Sequence, residues 1–227
     1  MLPGTMQAVV KAHAAPGIEI REVPVPRPGV GEVLVKVSAA SVCGTDLHIY
    51  NWDHWAQGRI HPPLIPGHEF AGAVAAVGPG VTTVQEGDRV SAEMHVACGK
   101  CLQCRTGLAH VCQSVRILGV DANGAFASYA VIPESNIWKL SPAIPHDYAS
   151  LLDPLGNAVH TVLSGPIAAK TVAISAKASA AANGTPGLRV LWTPRTTTAR
   201  TGQVHAHHGG RPELADGMVG ALQFRRR

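Results

Sequence analysis

Over its first 140 residues the chain alternates short apolar runs with turn-forming residues. Residues 6–10 read Met-Gln-Ala-Val-Val, residues 31–37 Gly-Glu-Val-Leu-Val-Lys-Val and residues 88–92 Asp-Arg-Val-Ser-Ala. Alternating or continuous apolar positions rich in β-branched side chains predict short strands packed against a core. Segments such as Pro24-Val25-Pro26-Arg27-Pro28-Gly29 separate them, because proline cannot donate to a ladder and glycine permits sharp turns. Residues 71–78, Ala-Gly-Ala-Val-Ala-Ala-Val-Gly, predict a further strand whose small side chains let a neighbouring backbone come close. The fold class is therefore mainly β, a barrel or a sandwich. After Ser150 the period changes. Residues 151–163 predict a turn into a helix and residues 170–175 a strand, so a second domain is expected to open here.

At 227 residues and 46% apolar content the chain can bury a substantial core. No apolar run approaches the ~20 residues of a membrane span. The start, Met1-Leu2-Pro3-Gly4-Thr5, has neither the charged nor the apolar segment of a secretory signal. A cytoplasmic location with reduced thiols is expected. The net charge of +4 is unevenly spread: residues 1–175 carry −2 and residues 176–227 carry +6. The basic character therefore belongs to the tail, which lacks the aromatic platforms of a nucleic-acid contact. No nucleic-acid partner is expected.

All five cysteines have a chemical use. Cys98, Cys101, Cys104 and Cys112 form C-x2-C-x2-C-x7-C. Such spacing bends a loop so that the sulfurs face one point, and four thiolates close a tetrahedral zinc shell. Iron–sulfur proteins share the beginning of this pattern, but their run closes with x3 and a proline, whereas here the gap is x7 and Gln113 follows. The fifth cysteine, Cys43, precedes Gly44-Thr45-Asp46, and Gly67-His68-Glu69 lies downstream. Cys43 with His68 and carboxylates makes a mixed shell with a position left for a ligand oxygen. Two zinc ions per chain are expected, one structural and one for chemistry. Thr45 and His48 stand where a hydroxyl and an imidazole could pass a proton outward, the imidazole titrating near ~6.5. A lone cysteine or histidine is also commonly a buried small side chain or a surface residue.

Together Gly67-His68-Glu69-Phe70-x-Gly72, Glu86-Gly87-Asp88-Arg89-Val90, the cysteine loop and Cys43-Gly44-Thr45-Asp46 resemble the zinc-containing medium-chain alcohol dehydrogenases. His48-Ile49-Tyr50-Asn51-Trp52-Asp53, Glu93-x-His95-x-x-Cys98 and Asp153-Pro154-Leu155-Gly156-Asn157 are similar to the L-threonine 3-dehydrogenase branch. The resemblance implies a GroES-like, partly open β-barrel over residues 1–155, then the start of an α/β Rossmann domain cut short after residues 156–175. It implies Cys43, His68, Glu69 and Asp153 at the catalytic zinc, with Glu69 either binding the metal or orienting His68. It implies Thr45 and His48 in proton transfer and His95 beside the substrate. The small-molecule substrate would be L-threonine, with NAD as hydride acceptor. A polyol or butanediol is the alternative substrate. Intact members are homotetramers, a state not expected of this chain.

The likeness stops near Ser175. A dehydrogenase of this type should continue with a glycine-rich turn opening a helix, but residues 176–187 read Ala-Lys-Ala-Ser-Ala-Ala-Ala-Asn-Gly-Thr-Pro-Gly. After Lys177 every Lys or Arg position is Arg. Residues 176–227 are expected to form an Arg-rich tail without a packed fold, of the kind that a frameshifted or truncated reading of a gene produces. A cofactor site cannot be assigned, and NAD-dependent activity of this chain alone is not expected. A zinc-binding barrel without catalysis is the second functional reading.

Overall fold

The computed structural model describes residues 2–165, 172–175, 189–192 and 205–207. Two compact units divide the chain, Met1–Val159 and His160–Arg227. The first opens with the antiparallel hairpin β1 (Thr5–Val10) and β2 (Glu19–Pro24). Alternation in β1 sends Met6, Ala8 and Val10 inward, where they pack with Ile65. β3 (Glu32–Ser41) leads into α1 (Gly44–Asn51) and α2 (His54–Arg59). Then follow β4 (Glu69–Val77), β5 (Arg89–Ala92) and the short β6 (His95–Val96). A lobe containing α3 (Leu102–Arg105) ends at β7 (Arg116–Ile117), which pairs back onto β6. β8 (Tyr129–Pro133) and β9 (Ile137–Lys139) complete the strands of this unit, before α4 (His146–Ala149) and α5 (Leu152–Leu163).

Five strands form one antiparallel sheet in the order β8-β3-β4-β5-β9. Its core joins Val33 and Val35 of β3 with Phe70 and Val74 of β4, Val90 of β5, and Ala130 and Ile132 of β8. Gly72 shows why β4 is rich in small residues: a Cβ there would lie 2.1 Å from the Lys36 carbonyl oxygen on β3. Lys11, fully buried, fixes the end of α1 by donating to the carbonyls of Ala15, Gly17 and Tyr50, with its ammonium 4.9 Å from the Trp52 ring. Charge-assisted bonds of this kind compensate the desolvation of a buried cation.

The predicted strands over residues 6–10, 31–37, 71–78 and 88–92 correspond to β1, β3, β4 and β5. β3 runs four residues further than its pattern, because its end is held by pairing with β4 rather than by apolar alternation. β2 escaped prediction because it presents one side to solvent so fully that Ile20 is 76% exposed. The predicted helix is α5. In the second unit β10 (Val172–Ser175), β11 (Arg189–Trp192) and β12 (His205–His207) form an antiparallel three-stranded sheet. Of residues 176–227, expected to lack a packed fold, the described ones are those of β11 and β12. The other residues of this tail, and the expected break in the glycine-rich turn at 176–187, lie outside the described residues. Among the described residues no helix is long and apolar enough to cross a membrane.

Candidate metal centres

Short local structure builds the first centre. Cys101 is the N-cap of α3, Cys104 lies within that helix, and Cys112 caps the 3-10 turn Ala109–Val111. The sulfurs of Cys101 and Cys104 are 3.5 Å apart, those of Cys101 and Cys112 3.9 Å, and those of Cys98 and Cys104 4.0 Å. Tetrahedral zinc with Zn–S of ~2.3 Å needs sulfurs separated by about 3.8 Å, whereas a disulfide needs ~2.0 Å. The donor set fits zinc, and all four thiols are free. Backbone N–H groups of Cys98 and Ser114 donate to Cys112 Sγ at 3.3 Å. N–H groups of Cys104 and Gln113 pull the Cys101 thiol down to about 6. Desolvation among the neighbouring sulfurs, with a bond to Cys101, pushes Cys104 up to about 12. A divalent cation would allow all four to ionise together.

The second centre joins distant parts of the sequence. Cys43 caps α1, its N–H donating to Asp46 Oδ2 at 2.8 Å, so its sulfur faces the positive end of the helix. His68 and Glu69 enter from the start of β4 and are only 2% and 6% exposed. Gly67 shapes that entry with φ +91°, and a Cβ there would stand 2.3 Å from the Phe126 ring. Donor atoms of Cys43, His68 and Glu69 all lie within 4.8 Å of one another. His68 holds the Cys43 thiol below its ordinary range against the opposing effect of burial. Burial disfavours the charged imidazole, yet Cys43 and the Asp46 carboxylate raise its pKa on balance. Nδ1 of His68 is buried without a hydrogen-bond partner. A thiol, an imidazole and a carboxylate gathered within 4.8 Å of one another fit a zinc ion with a place left open.

Thr45 Oγ1 lies 3.7 Å from the Cys43 sulfur, which donates to it. His48 follows one turn later on α1, and its Nδ1 bonds Asp53, the carboxylate that caps α2 by accepting from Ala56 N at 3.0 Å. Asp153 belongs to a neighbouring group. Its carboxylate gathers with Glu93 and His95, again within 4.8 Å, and not with the Cys43 donors. Oδ1 of Asp153 accepts from Met94 N at 3.4 Å, which ties it to the β5–β6 connection. His95 Nδ1 bonds Glu93, whose other oxygen accepts the His95 N–H at 3.0 Å. The Glu93 bond raises the His95 pKa against burial, and burial raises that of Asp153. The charge of His68 acts on both groups, so the two clusters adjoin.

Residues 29–142 match the model of the alcohol dehydrogenase GroES-like domain. The chain belongs to that family. An L-threonine 3-dehydrogenase from Pyrococcus abyssi is 58% identical over 170 residues, covering 75% of this chain and 49% of that protein. The chain thus spans about half the length of the curated relatives it matches. Among solved structures, a short chain alcohol dehydrogenase from Escherichia coli CFT073 complexed with NADH aligns with a TM-score of 0.64. It is 37% identical, over 70% of this chain and 45% of that one. A cobalt- and zinc-bound thermostable alcohol dehydrogenase from Pyrobaculum aerophilum gives a TM-score of 0.58 and 35% identity, over 66% of this chain and 45% of that one.

Four residues of this GroES-like domain escaped the sequence reading. Asp46 completes the N-terminal cap at Cys43, and an acidic residue three positions after the cap was a legible signal. Asp53 orients His48, and Glu93 orients His95. Glu93 stands two residues before a candidate histidine, a weaker signal. Ser41 donates to Glu69 Oε2 at 2.6 Å, and nothing in the local sequence marks it.

Proposed function

We propose that the barrel is the catalytic domain of a zinc-dependent, NAD-linked dehydrogenase acting on the secondary alcohol of L-threonine and yielding 2-amino-3-oxobutanoate. The observation that carries this reading is the open Cys43–His68–Glu69 group beside a separate four-thiol group, in a GroES-like domain similar to L-threonine 3-dehydrogenases. Cys43, His68 and Glu69 would hold the catalytic zinc and Cys98, Cys101, Cys104 and Cys112 a structural one. The catalytic ion supplies Lewis acidity that makes an alcohol easier to deprotonate. Thr45 and His48 carry that proton outward. Asp53, bound to Nδ1, holds the imidazole in place. His95, biased toward its charged form by Glu93, suits the substrate carboxylate, and the Glu93 and Asp153 carboxylates suit the ammonium. Unpaired partners of this kind would discriminate against a diol. NAD, when bound, would supply the acceptor for the carbon-bound hydride.

We place the barrel over residues 1–155, the opening of the nucleotide domain over 156–175 and a distinct tail over 176–227. The division after Val159 supports the first boundary. Five free cysteines support a reducing, cytoplasmic setting. The test uses cobalt(II) exchanged into the open site. L-Threonine is expected to shift the absorption band that Cys43→Ala removes, at lower concentration than sorbitol or 2,3-butanediol. The reverse order would make the domain a polyol enzyme, and no response to any of the three would make it a barrel without catalysis.

A further inference from the structure

We propose that Ser41 is a positioning residue for the open centre, its hydroxyl fixing the place of the Glu69 carboxylate at the Cys43–His68 pair. The inference rests on the zinc reading above. Ser41 Oγ donates to Glu69 Oε2 at 2.6 Å, and the two residues are register partners where β3 and β4 end at the site. The same oxygen lies 3.2 Å from the Ser150 carbonyl. A hydroxyl has one proton to give, and the shorter, charge-assisted contact takes it.

The pairing depends on an irregularity in β3. Val37 opposes Gly72, but Ala39 opposes Ala71, so Ser38 is an extra residue in the strand. Without that bulge Ala40 would face Glu69, and a methyl group offers no donor. Bulges commonly re-aim a side chain beside a functional site in this way. Ser91 Oγ reaches the Phe70 carbonyl at 2.9 Å and the Ala149 carbonyl at 3.2 Å. The Ser91 hydroxyl thus lies between the Phe70 carbonyl of β4 and the Ala149 carbonyl, beside the Ser41–Glu69 contact. Glu69 has no Lys or Arg partner among the described residues, so the Ser41 hydroxyl is the group that sets its orientation. Neighbours that orient a ligand typically change metal affinity by 10–100-fold when removed.

The full chain, purified with its zinc, is equilibrated against graded chelator and the zinc retained is counted, with Cys43→Ala marking the share held by the four thiols. Ser41→Ala is expected to release open-site zinc at about 10-fold lower chelator, leaving the four-thiol zinc in place. Ser41→Thr should behave as wild type, whereas Ser41→Val, of similar volume, should behave as Ser41→Ala. This pair decides the matter if the alanine variant does not fold. Because the hydroxyl acts through the carboxylate, the double variant Ser41→Ala/Glu69→Ala should release zinc no more readily than Glu69→Ala alone. Wild-type retention in both Ser41→Ala and Ser41→Val, or an added loss in the double variant, overturns the proposal while leaving the zinc reading intact. A wild-type chain with no zinc dependent on Cys43 overturns both.

Discussion

The cysteine lobe and the Cys43 site use the same metal chemistry but are built at different scales. In the lobe all four donors fall between residues 98 and 112, on a four-residue helix, a 3-10 turn and the loops between them. Leu102, Leu108 and Val111 are exposed there, and of the four sulfurs only that of Cys112 belongs to a buried residue. Little apolar burial holds the lobe together, so on the proposed reading a metal bound there would supply much of its folding free energy. At the Cys43 site the donors sit on buried or half-buried residues of different elements, brought together by a helix cap and the pairing of β3 with β4. The barrel makes that site, and a bound ion would add the chemistry. On the proposed reading a metal stabilises the lobe, whereas the fold positions the other centre.

The largest expected contrast comes from deleting a ligand in each region. Structural zinc contributes about 10–16 kcal/mol in small zinc domains, as much as the whole stability of a typical domain. Cys101→Ser should therefore open residues 98–112 to limited proteolysis, while Cys43→Ala should leave the lobe resistant. Equal susceptibility in the two variants would break the contrast. Gly67→Ala should have the next largest effect. A Cβ at positive φ pressed into Phe126 should cost roughly 2–4 kcal/mol, a fall in melting temperature of about 5–15 °C. It should also release the Cys43-dependent zinc and spare the zinc of the lobe. A melting curve with a count of retained zinc checks both.

The smallest effect is a pH dependence confined to the open region. Glu93 raises the His95 pKa, so the charged imidazole is present at low pH and is lost as pH rises through that raised value. L-Threonine binding should accordingly weaken as the pH rises. Glu93→Gln should move the fall to lower pH without altering the zinc held by the lobe. Titrations of the cobalt(II)-exchanged protein at several pH values would show it, and a pH profile unchanged by Glu93→Gln would remove His95 from substrate recognition.

The same difference of scale explains what the sequence disclosed. Cys98, Cys101, Cys104 and Cys112 were legible because spacing alone brings them together. Cys43, His68 and Glu69 were legible as residue types in motifs, yet their meeting depends on pairing between strands whose ends lie 28 residues apart at Ser41 and Glu69. The bulge at Ser38 that sets this register has no local signature, so Ser41 could not be read. Asp153 was assigned to the Cys43 group by resemblance alone; its carboxylate accepts from Met94 N and gathers with Glu93 and His95, within reach of the His68 charge. β1 and β3 to β5 were visible as apolar patterns, whereas β8 was missed although it buries Ala130 and Ile132. The exposed β2 and the two-residue β6 and β7 were not visible, since neither buries enough of a face to leave a pattern.

The central claim is that the two centres are separate and that the fold makes one while the metal makes the other. Elemental analysis of the purified wild type and of Cys43→Ala tests it most directly. The account predicts two zinc ions per wild-type chain and one in the variant, with the variant still folded. The same zinc content in both proteins, or iron in place of zinc, would contradict it.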